Sequence, residues 1–405
     1  MPELYRREFH PEAPRLHDFV GDRATYLADD IYRRVRDRPS VSAVLTAIED
    51  GALWADPDRL WNIALTGGLR APSFRMVRDG STLSRADTCR PAGVGHAELD
   101  DLIEPNRVLE LHDAGASLVL QGLQHTDAAF AQLSTNLALD LDQPVQVNAY
   151  ISPADARALD MHFDFHDVIV VQLAGRKRWR VWAPLERTSR PVKSGASIAP
   201  PRIDELGAPL VDRSLVAGDC LAVPRGFPHA TETVDDASTH LTIGIMALTW
   251  ERVIRRFLTA GVSGTALADR LAAGALEEGY DAGVALSAMS DVLDADALRG
   301  AVASEVWRRQ PRTRLRPRCA RVPSPEQSLR VTPGPLLRLA RSNGRSRLEL
   351  GDRCIVVPAE AHELIAAVLT TARPFVVDDV LGDLEVASAM VVLQRLVAEG
   401  VLAFA

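Results

Sequence analysis

The sequence predicts an α+β protein whose middle is an antiparallel sandwich or barrel, with helical segments on both sides and a small separate unit at the end. Three observations carry that expectation. The chain has 405 residues, enough for roughly two or three domains. From Pro144 to about Thr249 it breaks into short apolar or alternating runs divided by Gly, Pro and Asp, the texture of many short strands. After Trp250 the apolar residues return to three- and four-residue spacing, the period of a helix.

Residues 1–140 mix short amphipathic stretches with turns. Asp18 to Ala47 and Ala97 to Leu111 read as partly helical, and Ala116 to Gln124 (ASLVLQGLQ) reads as a strand. The strand candidates of the middle are VQVNAYISP, DVIVVQLAG, RKRWRVWAP, RSLVAGDCLAVPRG and HLTIGIMAL. Helices are expected at Glu251–Ala260, Gly264–Gly279 and Ala295–Arg309, followed by an Arg- and Pro-rich stretch, RRQPRTRLRPRCAR. Its prolines make it a poor helix and suit a solvated connector. From about Val322 a small unit follows. Leu348 to Val357 reads as a strand, Ala359 to Thr370 as a helix, Asp378 to Leu381 as a helical turn and Glu385 to Glu399 as a long helix closed by Gly400. The ending LVAEGVLAFA resembles the last helix and wing of a winged-helix domain. The acids Asp378, Asp379, Asp383, Glu385 and Glu399 favour a protein contact or a structural role there over DNA.

Composition narrows the classes. Hydrophobic residues make up 47% and charged residues 25%, ordinary for a globular chain, so no long disordered tail is forced. A net charge of −8 argues against a general nucleic-acid binder and tolerates a basic partner. The cysteines, Cys89, Cys220, Cys319 and Cys354, lack zinc-knuckle, redox or disulfide-framework spacing. The N-terminal MPELYRREFHPEAPR has no apolar signal region, and no apolar run reaches spanning length. A reducing cytoplasm and no membrane are the expectation.

The chemistry concentrates in MHFDFHDVIVVQLAGRKRWRVWAP, Met161 to Pro184. On a strand, residues two apart share a face, so His162 and Asp164 can offer an imidazole and a carboxylate to one point while Phe163 turns away. His229, in GDCLAVPRGFPHATE, is the candidate third ligand from a distant strand. Two histidines and one carboxylate form a facial triad with open positions for substrate and oxygen. The bland alternative is two core histidines and a turn aspartate. His166 and Asp167 follow closely and are expected to be supporting or structural, rotated away by a bend after Asp164.

In RKRWRV the odd positions Lys177, Trp179 and Val181 share one face. If Trp179 and Val181 point inward, Lys177 does too, and a buried ammonium is costly unless an anion meets it. Periodicity alone equally allows Lys177 to reach solvent at the strand's start. Asn148 and Tyr150 share a face of VQVNAYI and could add hydrogen bonds in the same cavity.

The runs HFDFHDVIVVQLAGRKRWRVW, GDCLAVPRGFPHAT and STHLTIG, with APSFRMVRDG, LVLQGLQ and VNAYISP upstream, resemble the JmjC (cupin-type) ribosomal oxygenases over roughly residues 60–250. The resemblance implies a double-stranded β-helix (jelly-roll) core with helical additions over 1–252. It further implies a helical dimerisation segment and linker over 253–321 and a winged-helix-like C-terminal domain over 322–405. It implies an Fe(II)- and 2-oxoglutarate-dependent protein hydroxylase in which His162, Asp164 and His229 hold iron. Lys177 would bind the far carboxylate of 2-oxoglutarate, Tyr150 would line its pocket, and Ser238 would be a further pocket residue after an unusually short loop. Cosubstrate and dioxygen would yield succinate, carbon dioxide and a hydroxylated side chain. The substrate would be a ribosomal protein, or in an alternative reading a peptide natural-product precursor, and a homodimer is expected. Histone demethylation fits less well. A non-oxygenase metal-binding cupin and a non-catalytic scaffold are the readings from other classes, and the donor set alone also suits zinc, manganese or nickel.

Overall fold

In the computed structural model the described residues are 24–26, 56–66, 68–141, 143–156, 159–185, 201–261, isolated positions between 287 and 310, 322–332, 338–342, 344–350, 354–371 and 373–405. Within 18–47, expected to be partly helical, Ala24–Tyr26 is instead a strand; the rest of that stretch, the expected helix over 264–279 and the Arg- and Pro-rich stretch beyond Gln310 lie outside the described residues.

The chain enters at β1 (Ala24–Tyr26) and α1 (Pro57–Leu65). Asp56 starts α1 by accepting the Asp58 N–H at 2.9 Å, with Pro57 in the first turn. The hairpin β2 (Phe74–Arg78) and β3 (Ser81–Thr82) turns through Asp79 and Gly80, both at positive φ. A separate hairpin, β4 (Cys89–Val94) and β5 (Ala97–Ile103), precedes α2 (Pro105–Asp113). The expected helix over 97–111 is therefore strand in its first half, ended by Pro105 at the helix start. Then come β6 (Ser117–Leu120), α3 (Ala128–Leu141), β7 (Val145–Ser152), β8 (Asp167–Val181), β9 (Val211–Val216), β10 (Cys220–Val223), β11 (His229–Ile245) and α4 (Trp250–Gly261).

The main sheet runs β1-β10-β8-β11-β7-β6-β2-β3, with β9 added beside β8. All pairings are antiparallel except β1 with β10. This is the curled antiparallel sheet of a jelly-roll. The runs DVIVVQLAG and RKRWRVWAP are one strand, β8, bent at Gly175, which sits at φ +64°. Opposite it, the β8–β11 register shifts between Thr233 and Ser238 and again between Thr239 and His240. These irregularities flip the parity of both strands. Before the bend Val168 and Val170 face the inner core with Trp179 and Val181 from beyond it. Ile169, Val171 and Leu173 face the outer core, packed with Leu60, Val108, Phe130 and the outward residues of β6, β7 and β11. A bulge that inserts residues into one strand re-aims the side chains after it.

The last part has a core of its own. β12 (Leu329–Val331) pairs with β16 (Leu402–Phe404), and β13 (Arg338–Ser342), β14 (Arg345–Glu349) and β15 (Cys354–Pro358) form a meander. The single strand expected over 348–357 is thus the ends of two. Helices α5 (His362–Thr370) and α6 (Val386–Ala398) pack over them through Leu364, Ile365, Leu393 and Leu396. Gly400, at φ +80°, closes α6.

Candidate metal centre and its cavity

His162 and Asp164 do not lie on a regular strand. His162 forms an isolated bridge with His229: the His229 N–H donates to the His162 carbonyl at 2.8 Å and the His162 N–H to the His229 carbonyl at 3.1 Å. Asp164 follows in irregular chain, held where the Gly226 N–H donates to its carbonyl at 2.9 Å. The spacing of two still delivers both side chains to one point. Donor atoms of His162, Asp164 and His229 lie within 4.8 Å of one another, and His229 Nε2 is 3.7 Å from Asp164 Oδ2.

Both imidazoles are oriented by backbone carbonyls. His162 Nδ1 is 2.8 Å from the Asp160 carbonyl and His229 Nδ1 is 3.1 Å from the Phe227 carbonyl. A carbonyl only accepts, so each Nδ1 donates and each Nε2 is the nitrogen turned to the other members of the triad. That is the outer-shell pattern that prepares histidines for a metal. Burial, reinforced by His162 alongside, pushes the His229 pKa down to about 4, which keeps the ring neutral. Two imidazole nitrogens and a carboxylate oxygen fit a first-row divalent cation.

The triad opens into a cavity of about 600 Å³. Lys177, Trp179, Asn148, Tyr150, His166 and His240 are among its walls. The bend at Gly175 settles the orientation of Lys177 that periodicity left open. It is 1% exposed and Trp179 is 4% exposed, both on the inward face. Its ammonium donates to Ser152 Oγ at 3.1 Å, and no carboxylate pairs with it among the described residues. Burial pushes its pKa down to about 8. Trp179 Nε1 and His240 Nδ1 are buried polar atoms without a hydrogen-bond partner. A sealed cation beside unsatisfied polar atoms is a site shaped for an anion.

Asn148 and Tyr150 stand on the cavity face of β7. The Asn148 side-chain oxygen accepts from the Gly122 N–H at 3.0 Å and from Gln146 Nε2 at 2.9 Å, so its amide NH2 is the group left for the cavity. The Tyr150 ring stacks on His240 at 4.9 Å between centroids. Burial raises the Tyr150 pKa, so the phenol stays protonated. Ser238 is placed differently from the expectation. It is buried but does not line the cavity: its Oγ accepts from Gln172 Nε2 at 2.9 Å. His166 turns toward the cavity after the bend at 165–166, and Asp167 is structural, accepting the Arg225 N–H at 2.8 Å.

His240, Arg75 and Gln121 also line the cavity and were not singled out from the sequence. A signal for His240 existed, because it follows Ser238 by two and faces Tyr150 directly across the β7–β11 pairing. Arg75 and Gln121 sit on or just after strands that only the assembled sheet brings near the triad.

Residues 123–253 match the JmjC domain family. Among curated proteins, Ribosomal oxygenase 1 of Danio rerio is 35% identical over 140 residues, 34% of this chain and 25% of that protein. Ribosomal oxygenase 1 of Homo sapiens is 32% identical over 225 residues, 53% of this chain and 32% of that protein. The chain thus spans about a quarter to a third of the length of these relatives. Among solved structures, the Escherichia coli ribosomal oxygenase YcfD in complex with cobalt and 2-oxoglutarate aligns over 86% of this chain and 90% of its own, at TM-score 0.52 and 18% identity. At that identity the likeness speaks for the fold. The match to the JmjC domain over 123–253 contains the triad, the bent strand β8 and the whole of β11, so the likeness falls on the part of the chain that carries the candidate metal centre and its cavity.

Proposed function

We propose that the protein is an Fe(II)- and 2-oxoglutarate-dependent oxygenase that hydroxylates an amino-acid side chain of a protein, a ribosomal protein in the first instance. The observation that carries this reading is Lys177, a buried ammonium without a carboxylate partner, opening on the same cavity as His162, Asp164 and His229. A metal-only cupin has no need of that cation. The names of the relatives, ribosomal oxygenases, point to the ribosomal substrate.

In this reading His162, Asp164 and His229 hold the iron through two Nε2 atoms and a carboxylate. Bound there with 2-oxoglutarate and dioxygen, iron supplies oxidation of an unactivated C–H bond coupled to decarboxylation of the cosubstrate. Lys177 pairs with the far carboxylate and so fixes which end of the cosubstrate meets the metal. Trp179, stacked toward His229 with ring centroids 6.0 Å apart, walls the cavity beside the metal ligands and keeps water from that side. The Asn148 amide and the Tyr150 hydroxyl are donors that orient the substrate or the cosubstrate.

The finer organisation is read in the same way. The C-terminal unit over 322–405 is winged-helix-like and serves as a recognition module, and the segment over 253–321, most of which lies outside the described residues, pairs two copies. Among the described residues no helix is long and apolar enough to cross a membrane, which suits a cytoplasmic enzyme. The deciding experiment is succinate formation from 2-oxoglutarate by anaerobically iron-loaded protein, comparing wild type with His162→Ala and Lys177→Ala. Turnover abolished in the first and an increased 2-oxoglutarate requirement in the second are expected. No turnover and no 2-oxoglutarate binding by the wild type would overturn the reading in favour of a metal-binding cupin.

A further inference from the structure

Beneath Lys177 lies a row of buried hydroxyls that the proposed reaction does not yet use. Ser152 stands on β7 on the same face as Asn148 and Tyr150, and Ser117 on β6 is its neighbour across the strand pairing. Ser117 Oγ donates to Ser152 Oγ at 2.8 Å, and both residues are 0% exposed. On the other side Ser238 is the β11 partner of Ser152 and is itself tied to Gln172 Nε2. Three adjacent strands thus each contribute a buried serine to one row, and the middle one, Ser152, meets the ammonium.

The hydrogen-bond inventory gives this row a task. A hydroxyl oxygen has two acceptor positions and one proton. With Ser117 and Lys177 both donating into it, Ser152 Oγ has both acceptor positions filled. One of the three ammonium protons is thereby anchored in the floor, which fixes the direction of the other two. A lysine side chain otherwise has rotamer freedom to lose on meeting a point partner. Ser117 fixes Ser152 in turn, since a hydroxyl that donates to it from β6 directs which acceptor position remains for Lys177.

We propose that Ser152, backed by Ser117, is a positioning residue for the anion subsite, holding the Lys177 ammonium in register for the far carboxylate of the cosubstrate. This rests on the oxygenase reading. Neither serine touches the cosubstrate. They act through Lys177, by pre-orienting it and by favouring its charged form through a hydrogen bond that the neutral amine makes less well.

The test is equilibrium binding of 2-oxoglutarate to the anaerobic Fe(II) protein across pH, for wild type, Ser152→Ala, Ser152→Thr and Ser117→Ala, with saturated turnover and Fe(II) affinity measured alongside. Loss of one hydrogen bond to a charged group predicts about tenfold weaker 2-oxoglutarate binding in Ser152→Ala. The alkaline limb of binding should also move to lower pH, while kcat at saturating cosubstrate and Fe(II) affinity stay within about twofold of wild type. Ser152→Thr keeps the hydroxyl and should restore both. Ser117→Ala, which leaves Ser152 in place, should show a smaller change of the same sign and covers the case in which Ser152→Ala does not fold. Unchanged affinity and an unmoved limb in folded variants would overturn the proposal alone, as would a fall in kcat with affinity intact. A wild type that binds no 2-oxoglutarate overturns it together with the oxygenase reading.

Discussion

An ammonium sealed at 1% exposure with one hydroxyl partner is held against its own solvation, and only an anion or loss of the proton relieves that. The consequence has a sign in pH. Burial places the Lys177 pKa in the unliganded protein at about 8, below the ordinary 10.5. The unfolded chain therefore binds the proton more tightly between those values, and stability rises with pH across that window. It is lost as pH falls through 8, by a few kcal/mol. Anion binding works in the opposite direction, because it needs the charged form. Affinity for 2-oxoglutarate should be flat below about pH 8 and fall about tenfold per unit above it, with a proton taken up on binding. Lys177→Met separates the two effects. The unliganded variant should gain about 1–3 kcal/mol of stability near pH 7 and lose the pH dependence between 8 and 10.5, while its 2-oxoglutarate binding disappears. Urea unfolding at several pH values and calorimetric titration read these directly. A variant less stable than wild type would mean that Lys177 already has a compensating partner. At this scale the sequence was informative: the alternation in RKRWRV put Lys177 with Trp179 and Val181, and the structure buries all three. What alternation could not give was which face is inward, because that depends on a bend further up the strand.

The bend belongs to the pairing of β8 with β11 rather than to either strand. Gly175 sits at φ +64°, and a Cβ there would run into the Ala237 carbonyl. Both the conformation and the contact exclude a side chain. Gly175→Ala should cost about 2–4 kcal/mol and loosen the inward face beyond the bend, so that Lys177 and Trp179 are displaced together. Thermal unfolding measures the first effect and 2-oxoglutarate affinity the second; a variant with wild-type values for both would show the bend to be incidental. Gly244 offers a gentler perturbation of the same strand. A Cβ there would lie 2.8 Å from His166 Cδ2, the far side of a ring that can rotate. Gly244→Ala should keep the fold and push His166 into the cavity, leaving iron and 2-oxoglutarate binding near wild type but impairing substrate-coupled turnover. Sequence reasoning handles elements unevenly for a physical reason. Strands with period-two burial, such as VQVNAYIS, announce themselves. The His-x-Asp pair lies in irregular chain held by the bridge to His229, and no local pattern encodes a contact across 67 residues. The stretch from Ala97 to Leu111 misled because its charged hairpin strand has no clean alternation, and only Pro105 marks where the helix starts.

Two blocks organise the molecule at the largest scale. The curled sheet holds the metal-site cavity on its inner face beside Val168, Trp179 and Val223, with the outer core and its helices on the opposite face, and the C-terminal unit closes around Leu339, Leu348, Leu364 and Leu393 with no buried residue of that sheet among the described residues. Its helices and turn were readable from apolar spacing and from Gly400, whereas the pairing of β12 with β16 joins its two ends and has no local signature. A ligand stabilises only the cooperative block that binds it. Ferrous iron and 2-oxoglutarate at about 100 times their dissociation constants should stabilise the sheet block by about 2.7 kcal/mol each. That corresponds to a rise in its Tm of several degrees, and the transition of the C-terminal unit should not move. Differential scanning calorimetry under anaerobic conditions, with and without both ligands, makes the comparison in one protein. Lys177→Met should retain the shift from iron and lose the shift from 2-oxoglutarate, which assigns the responding transition to the cavity. A single transition that moves as a whole would instead mean that the two cores unfold as one block, and the C-terminal unit would then report on occupancy of a site it does not line.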